Sequence, residues 1–166
     1  MSGEKISITL NQRQDLYLNA KRYCYLIENI DEFEHPVWLS EISHILPCIH
    51  AVIGLIDQPK RKESLFAVSD IDERFELFCQ LKKLLGEMDG YEIGEELLDN
   101  ELYGSLSGDL TDLYFEIKRG LELLRFDSSN LPDALNLWRD GFYLHWGSHL
   151  INAEKHLHDL RVHHQI

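Results

Sequence analysis

Residues 109–158, DLTDLYFEIKRGLELLRFDSSNLPDALNLWRDGFYLHWGSHLINAEKHLH, carry two helical periods on either side of a short polar break. Before the break Leu110, Leu113, Ile117, Leu121 and Leu124 recur at steps of three and four, the apolar stripe of an amphipathic helix. After it Ala134, Trp138, Phe142, His145, His149 and His156 share one face of a helix expected from about Asn130 to about His158. The DSSN break between them is short enough to make the two helices antiparallel neighbours. Ser107 or Asp109 is placed to cap the first, and Asn130, with Pro132 in the first turn, to cap the second.

The rest of the chain reads the same way. From Asn11 to Ile30 the positions Leu16, Ala20, Tyr23, Ile27 and Ile30 keep helical spacing. From Pro36 onward Leu39, Ile42, Leu46, Ile49, Ile53 and Ile56 do so too, with Pro47 expected to kink that helix or end it early. The polar stretch Asp57 to Ser69 is a connection. Asp70 followed by Glu73 resembles a capping box for a third helix with Phe75, Phe78, Leu81, Leu85 and Met88 on its apolar face. Residues 89–108, rich in glycine and acidic side chains, are expected to form a long acidic loop, and no strand-like alternation or internal repeat is visible. The expectation is an all-α fold, a single-domain helical bundle of about five helices over residues 1–166.

Composition narrows the function classes. Twenty-nine acidic against sixteen basic side chains give a net charge of −13, a field that repels phosphate backbones, so nucleic acid is disfavoured as a partner and protein is favoured. Cys24, Cys48 and Cys79 are odd in number and lack paired short spacing, which points to buried thiols in a reducing compartment. The start, MSGEKISITL, has no apolar run of signal length, and Ile42 to Ile56, the longest stretch without Asp, Glu, Lys or Arg, is shorter than a bilayer span. A cytoplasmic protein with no membrane segment is expected.

One constellation carries potential chemistry. Asp109, Asp112 and Glu116 line one flank of the fourth helix, and His145 and His149 stand one turn apart on the fifth. With the two helices antiparallel, Asp112 falls near His145, Asp109 near His149 and Glu116 near Gly141. Imidazole nitrogen and carboxylate oxygen together suit a divalent metal such as zinc, manganese or iron. No HExxH motif and no Glu three residues before either histidine accompany them. The blander reading is a polar core in which His145 and His149 hydrogen-bond to Asp112 and Asp109.

Gly120 and Gly141 lie inside helices, where each costs about 1 kcal/mol against alanine, so close helix approach should compensate. In the antiparallel register Gly120 lies opposite Leu137 and Trp138, leaving room for the indole, and Trp146 belongs to the same packed set. Arg139 is expected to pair with Glu116 or Glu122. The acidic loop lacks the alternate ligand spacing of a calcium-binding helix-loop-helix. His156, His158, His163 and His164 read as an exposed terminus, although His156 extends the histidine stripe.

The segments SLSGDLTDLYFEIKRGLELL and WRDGFYLHWGSHLINAEKHLH are similar to a bacterial family catalogued as domain-of-unknown-function family 5063, mainly over residues 103–158. That resemblance implies a helical fold and a bacterial origin, and it carries no catalytic role to any residue. Arg139 followed by His145 also resembles the arginine-to-histidine pattern of the higher eukaryote and prokaryote nucleotide-binding helical ribonucleases, which implies a metal-independent ribonuclease. The leading expectation is a non-catalytic binding or interaction module. A metal-binding protein or metal-dependent enzyme, using His145, His149, Asp109, Asp112 and Glu116, is the alternative.

Overall fold

The computed structural model describes residues 8–59, 70–93 and 102–166. Helix α1, Leu10–Glu28, starts at a capping box. The Thr9 hydroxyl accepts the Gln12 backbone N–H at 3.1 Å, and the Gln12 side chain accepts the Thr9 N–H at 2.9 Å. Leu16, Ala20, Tyr23 and Ile27 are buried, as their spacing implies. Helix α2, His35–Ile53, has Pro36 in its first turn and buries Leu39, Ile42, Leu46, Ile49 and Ile53. It runs on past Pro47, whose ring lies on the exposed face, so the proline does not end the helix. By length and composition alone α2 is long and apolar enough to cross a membrane. Here its buried side packs against α1 and α6, while His44, Pro47, Cys48 and Ala51 face outward.

Helix α3, Ile71–Leu85, differs from the expectation at its start and in its phase. Asp70 stands in the left-handed region at φ 74°, and its side chain does not cap the helix, so the Asp70–Glu73 capping box is absent. The inward face runs through Arg74, Leu77, Phe78, Leu81 and Leu85, whereas Phe75, assigned to the core from its spacing, is 65% exposed. Gly86 ends α3 at φ +54°, a conformation that side chains beyond glycine rarely adopt.

The acidic stretch is not only a loop. Strand β1, Gly90–Ile93, pairs antiparallel with β2, Leu102–Ser105, with Tyr91 opposite Gly104. Each strand is four residues long, too short for alternation to stand out in the sequence. The remainder of the expected loop, residues 94–101, and most of the connection, residues 60–69, lie outside the described residues.

Helix α4, Leu106–Phe126, is capped by Ser105, whose hydroxyl accepts the Gly108 N–H at 3.2 Å, and not by Ser107 or Asp109. Ser107 is instead held by Asp89. One carboxylate oxygen takes the Ser107 N–H at 2.7 Å and the other its hydroxyl at 2.9 Å, so an acidic group from the start of the hairpin meets the positive end of α4. After a turn in which Asp127 accepts the Ser129 N–H, helix α5 covers Leu131–Gly141. Asn130 makes no side-chain cap, because its amide donates to the Leu123 carbonyl. A π-helical turn, Phe142–Trp146, joins α5 to α6, Gly147–Val162, in one continuous rod. The described residues thus make an all-helical fold of five rods with a small hairpin. Rod α4 is packed against α1, α3, α5 and α6, and their buried residues form one hydrophobic cluster.

Cys24 is buried in that cluster, and burial pushes its thiol up to about 12. Cys48 and Cys79 are exposed, contrary to the expectation of three buried thiols, because each falls on the outer face of its helix.

Candidate functional site

The π-helical turn decides where the histidines point. On the last rod the buried series Ala134, Trp138 and Gly141 is followed not by a step of three or four but by a step of five to Trp146. It then continues through Leu150, Ala153, Leu157 and Leu160. The Gly147 N–H reaches back to the Phe142 carbonyl, the five-residue bond of a π turn, and a Cβ on Gly147 would stand 2.3 Å from that carbonyl oxygen. One extra residue in the turn moves Trp146 into the core, with 1% exposure, and shifts His145 and His149 to its flank. Their side chains are 32% and 30% exposed. The flank is the edge of the α4 interface, where the three carboxylates stand.

The antiparallel register holds. The Asp109 Oδ1 lies 2.8 Å from His149 Nδ1, and its Oδ2 accepts the Tyr91 hydroxyl from the hairpin. The other His149 nitrogen, Nε2, faces Asp112 Oδ2 at 3.4 Å. Asp112, His145 and His149 each offer a donor atom within 4.8 Å of the others. His145 Nδ1 is 3.9 Å from Glu116 Oε1, and the space a Gly141 Cβ would take lies 3.7 Å from Glu116 Oε2. Asp109 and Glu116 are buried, while Asp112 and the two histidines are half-buried.

Residues beyond the expected set complete the site. Arg74 of α3 donates from Nη1 to Asp112 Oδ1 at 2.9 Å and from Nη2 to Glu116 Oε1 at 3.1 Å, with its guanidinium over the Phe115 ring. Arg119 approaches Glu116 Oε2 at 3.8 Å. Tyr91 lies over Gly104, where a Cβ would stand 2.4 Å from its ring, and packs against His156. His156 is therefore not part of a frayed end: it is buried, with Nε2 2.6 Å from the Met88 carbonyl. The signal for Arg74 was present as an arginine on the stripe that leads to Phe78, Leu81 and Leu85. Tyr91 left no such trace, because the hairpin that delivers it was not legible.

The electrostatics follow from these contacts. The hydrogen bond to Asp109, joined by the nearby charges of Asp112 and Asp109, raises the His149 imidazole above its ordinary value against the opposing pull of burial. Burial, and then the hydrogen bond to Asp109, holds the Tyr91 hydroxyl well above the usual phenol range, so it remains a donor.

The supporting residues fill the space between the helices. Trp138 donates from Nε1 to the Ile117 carbonyl at 3.0 Å and fills the space left at Gly120, where a Cβ would stand 2.2 Å from that nitrogen. Trp146 likewise fills the space left at Gly141, where a Cβ would stand 2.6 Å from its Nε1. Arg139 is buried and binds the adjacent Asp140 at 2.9 Å, while Glu116 takes Arg74 and Arg119.

Fold and site together define an all-helical protein with a histidine–carboxylate cluster at the flank of its last two rods. The chain belongs to the family described as a domain of unknown function, DUF5063, whose model matches residues 9–163. Among solved structures it is similar to the crystal structure of protein BF1032 from Bacteroides fragilis. The two share 22% identity and a TM-score of 0.70 over 89% of this chain and 90% of that one, a likeness of fold alone. No curated protein matches the chain.

Proposed function

We propose that this chain binds a divalent metal ion through His145, His149 and Asp112, with Asp109 as the outer carboxylate that orients His149. The observation that carries the reading is the way His149 is held. Asp109 takes Nδ1 at 2.8 Å and leaves Nε2 facing Asp112 Oδ2 at 3.4 Å. A tetrahedral ion with bonds of about 2.0–2.1 Å sets its ligand atoms about 3.4 Å apart, so this pair already stands at the edge length of such a site. Carboxylate, histidine and metal in series is the usual way a protein fixes the tautomer and ring angle of a metal ligand. A nitrogen of the half-buried His145 lies within 4.8 Å of both, and a change of its side-chain torsions would carry it toward the same centre. Two imidazoles and one carboxylate suit zinc, iron or manganese and leave coordination positions open. A π turn placed beside the ligands is a further sign of function, since such turns concentrate at functional sites.

One observation favours a second reading. Arg74 bridges Asp112 and Glu116 without any metal, so the cluster is also self-consistent as a charge-paired polar core of a non-catalytic binding module. The two readings separate on thermal unfolding of chelator-treated protein. Metal binding to the native state raises the melting temperature with added zinc, iron(II) or manganese, and the rise is lost in His149→Ala. A melting temperature indifferent to all three ions leaves the polar-core reading.

A further inference from the structure

We propose that the ligand of this site is an oxyanion, a phosphate or carboxylate group that spans the metal ion and the guanidinium of Arg74; the inference rests on the metal reading above. Asp112 joins the two halves. Its Oδ2 faces His149 Nε2 at 3.4 Å, and its Oδ1 accepts from Arg74 Nη1 at 2.9 Å. Metal position and guanidinium are therefore separated by one carboxylate, and a group entering an open coordination position lies beside Arg74. The guanidinium is fixed in plane by the Phe115 ring and by its second bond to Glu116, which preorganises the fork that recognises two oxygens of one anion.

Two donors lack acceptors here. Arg74 Nε and Trp146 Nε1 are both buried and make no hydrogen bond, although native structures pair nearly all such groups. Both stand beside Glu116. Arg74 is bonded to its Oε1, and the Trp146 nitrogen and Glu116 Oε2 lie within 4 Å of the same point above Gly141. Oxygen atoms of a bound group would supply the missing acceptors, whereas a cationic ligand would add further donors. Asp112 and Glu116 are the carboxylates beside the anion; the metal ion and Arg74 offset the charge of Asp112, and Arg74 and Arg119 that of Glu116.

The test is calorimetric titration of inorganic phosphate, and separately of acetate, into zinc-loaded protein, metal-free protein and zinc-loaded Arg74→Gln. We expect binding to the zinc-loaded chain, none to the metal-free chain, and an affinity about tenfold or more lower in Arg74→Gln at unchanged zinc content and helicity. Arg74→Lys, which keeps the charge and loses the planar fork, should fall between them. Binding of phosphate alone assigns phosphate esters, and binding of acetate alone assigns carboxylates. A zinc-loaded chain that takes neither anion overturns the inference and leaves the metal reading standing, whereas a chain that takes up no zinc overturns both. Equal binding by wild type and a folded Arg74→Gln removes Arg74 from the site and overturns the proposal.

Discussion

Asp109 and His149 meet at 2.8 Å through Oδ1 and Nδ1, and this contact fixes which face of the imidazole is left for chemistry. Because the other oxygen of Asp109 is taken by the Tyr91 hydroxyl, the carboxylate is held from both sides and the ring it orients has one defined direction. The hairpin is thus coupled to the site, although none of its residues is a proposed ligand.

Tyr91→Phe removes the donor to Asp109 and keeps the ring over Gly104. Metal affinity should fall by about 10- to 100-fold, the usual effect of losing an outer partner of a ligating histidine, with helicity unchanged. Competition against a chromophoric chelator measures it, and equal affinities in the two proteins would separate the hairpin from the site.

In metal-free protein His149 holds its proton above the ordinary imidazole range. Its contribution to stability is therefore fully present below the unfolded-state value and is lost as the pH rises through the raised folded-state value. Urea unfolding of wild type and His149→Gln should differ most at about pH 5.5 and least at about pH 9. A difference that stays constant over that range contradicts the Asp109–His149 pairing.

Gly120→Ala pits propensity against packing. Alanine gains about 1 kcal/mol in a helix interior. Its Cβ would stand 2.2 Å from Trp138 Nε1, which forces the indole off the Ile117 carbonyl in a filled core. Overpacking of that kind costs about 1–3 kcal/mol, and the lost hydrogen bond about 1 kcal/mol more. Net destabilisation by about 1–3 kcal/mol is expected from denaturant unfolding, and a variant as stable as wild type would show that the two helices can part without loss.

Asp89→Ala leaves the Ser107 N–H and hydroxyl without their acceptor at the buried start of α4. The loss should be about 1–2 kcal/mol, the scale of a helix-capping contact, and Asp89→Asn should recover part of it. Chemical denaturation of the three proteins gives the order directly.

Much of this fold was legible because most of its helices expose one face and bury the other. Every apolar position expected on α1 and α2 is buried, since a three-to-four-residue period of Leu and Ile admits one solution. The register of α4 against the last rod was also accessible: a short break and equal rise per residue place Asp109 opposite His149, Glu116 by Gly141 and Gly120 under Trp138. What periodicity could not show was the extra residue in the π turn, which leaves helical spacing intact on either side and changes only the phase. Hence the histidines were read as part of the central stripe and stand at its edge, where Asp112 and Arg74 reach them. On α3 one residue of phase separated Phe75 from Arg74, and with it the basic partner of the site. Caps proved harder still, because Asp, Ser and Asn serve turns as readily as helix starts: Asp89 and Ser105, distant in sequence and joined by the hairpin, do the work expected of Ser107 or Asp109.

The most direct test of the central claim is elemental analysis of untagged protein purified without chelator, beside His149→Ala prepared in the same way. One zinc, iron or manganese per wild-type chain is expected, and its loss in the folded variant. Wild-type protein that carries no metal and takes up none from added zinc, iron(II) or manganese would contradict it, and would make the Asp109–His149 contact a feature of the core.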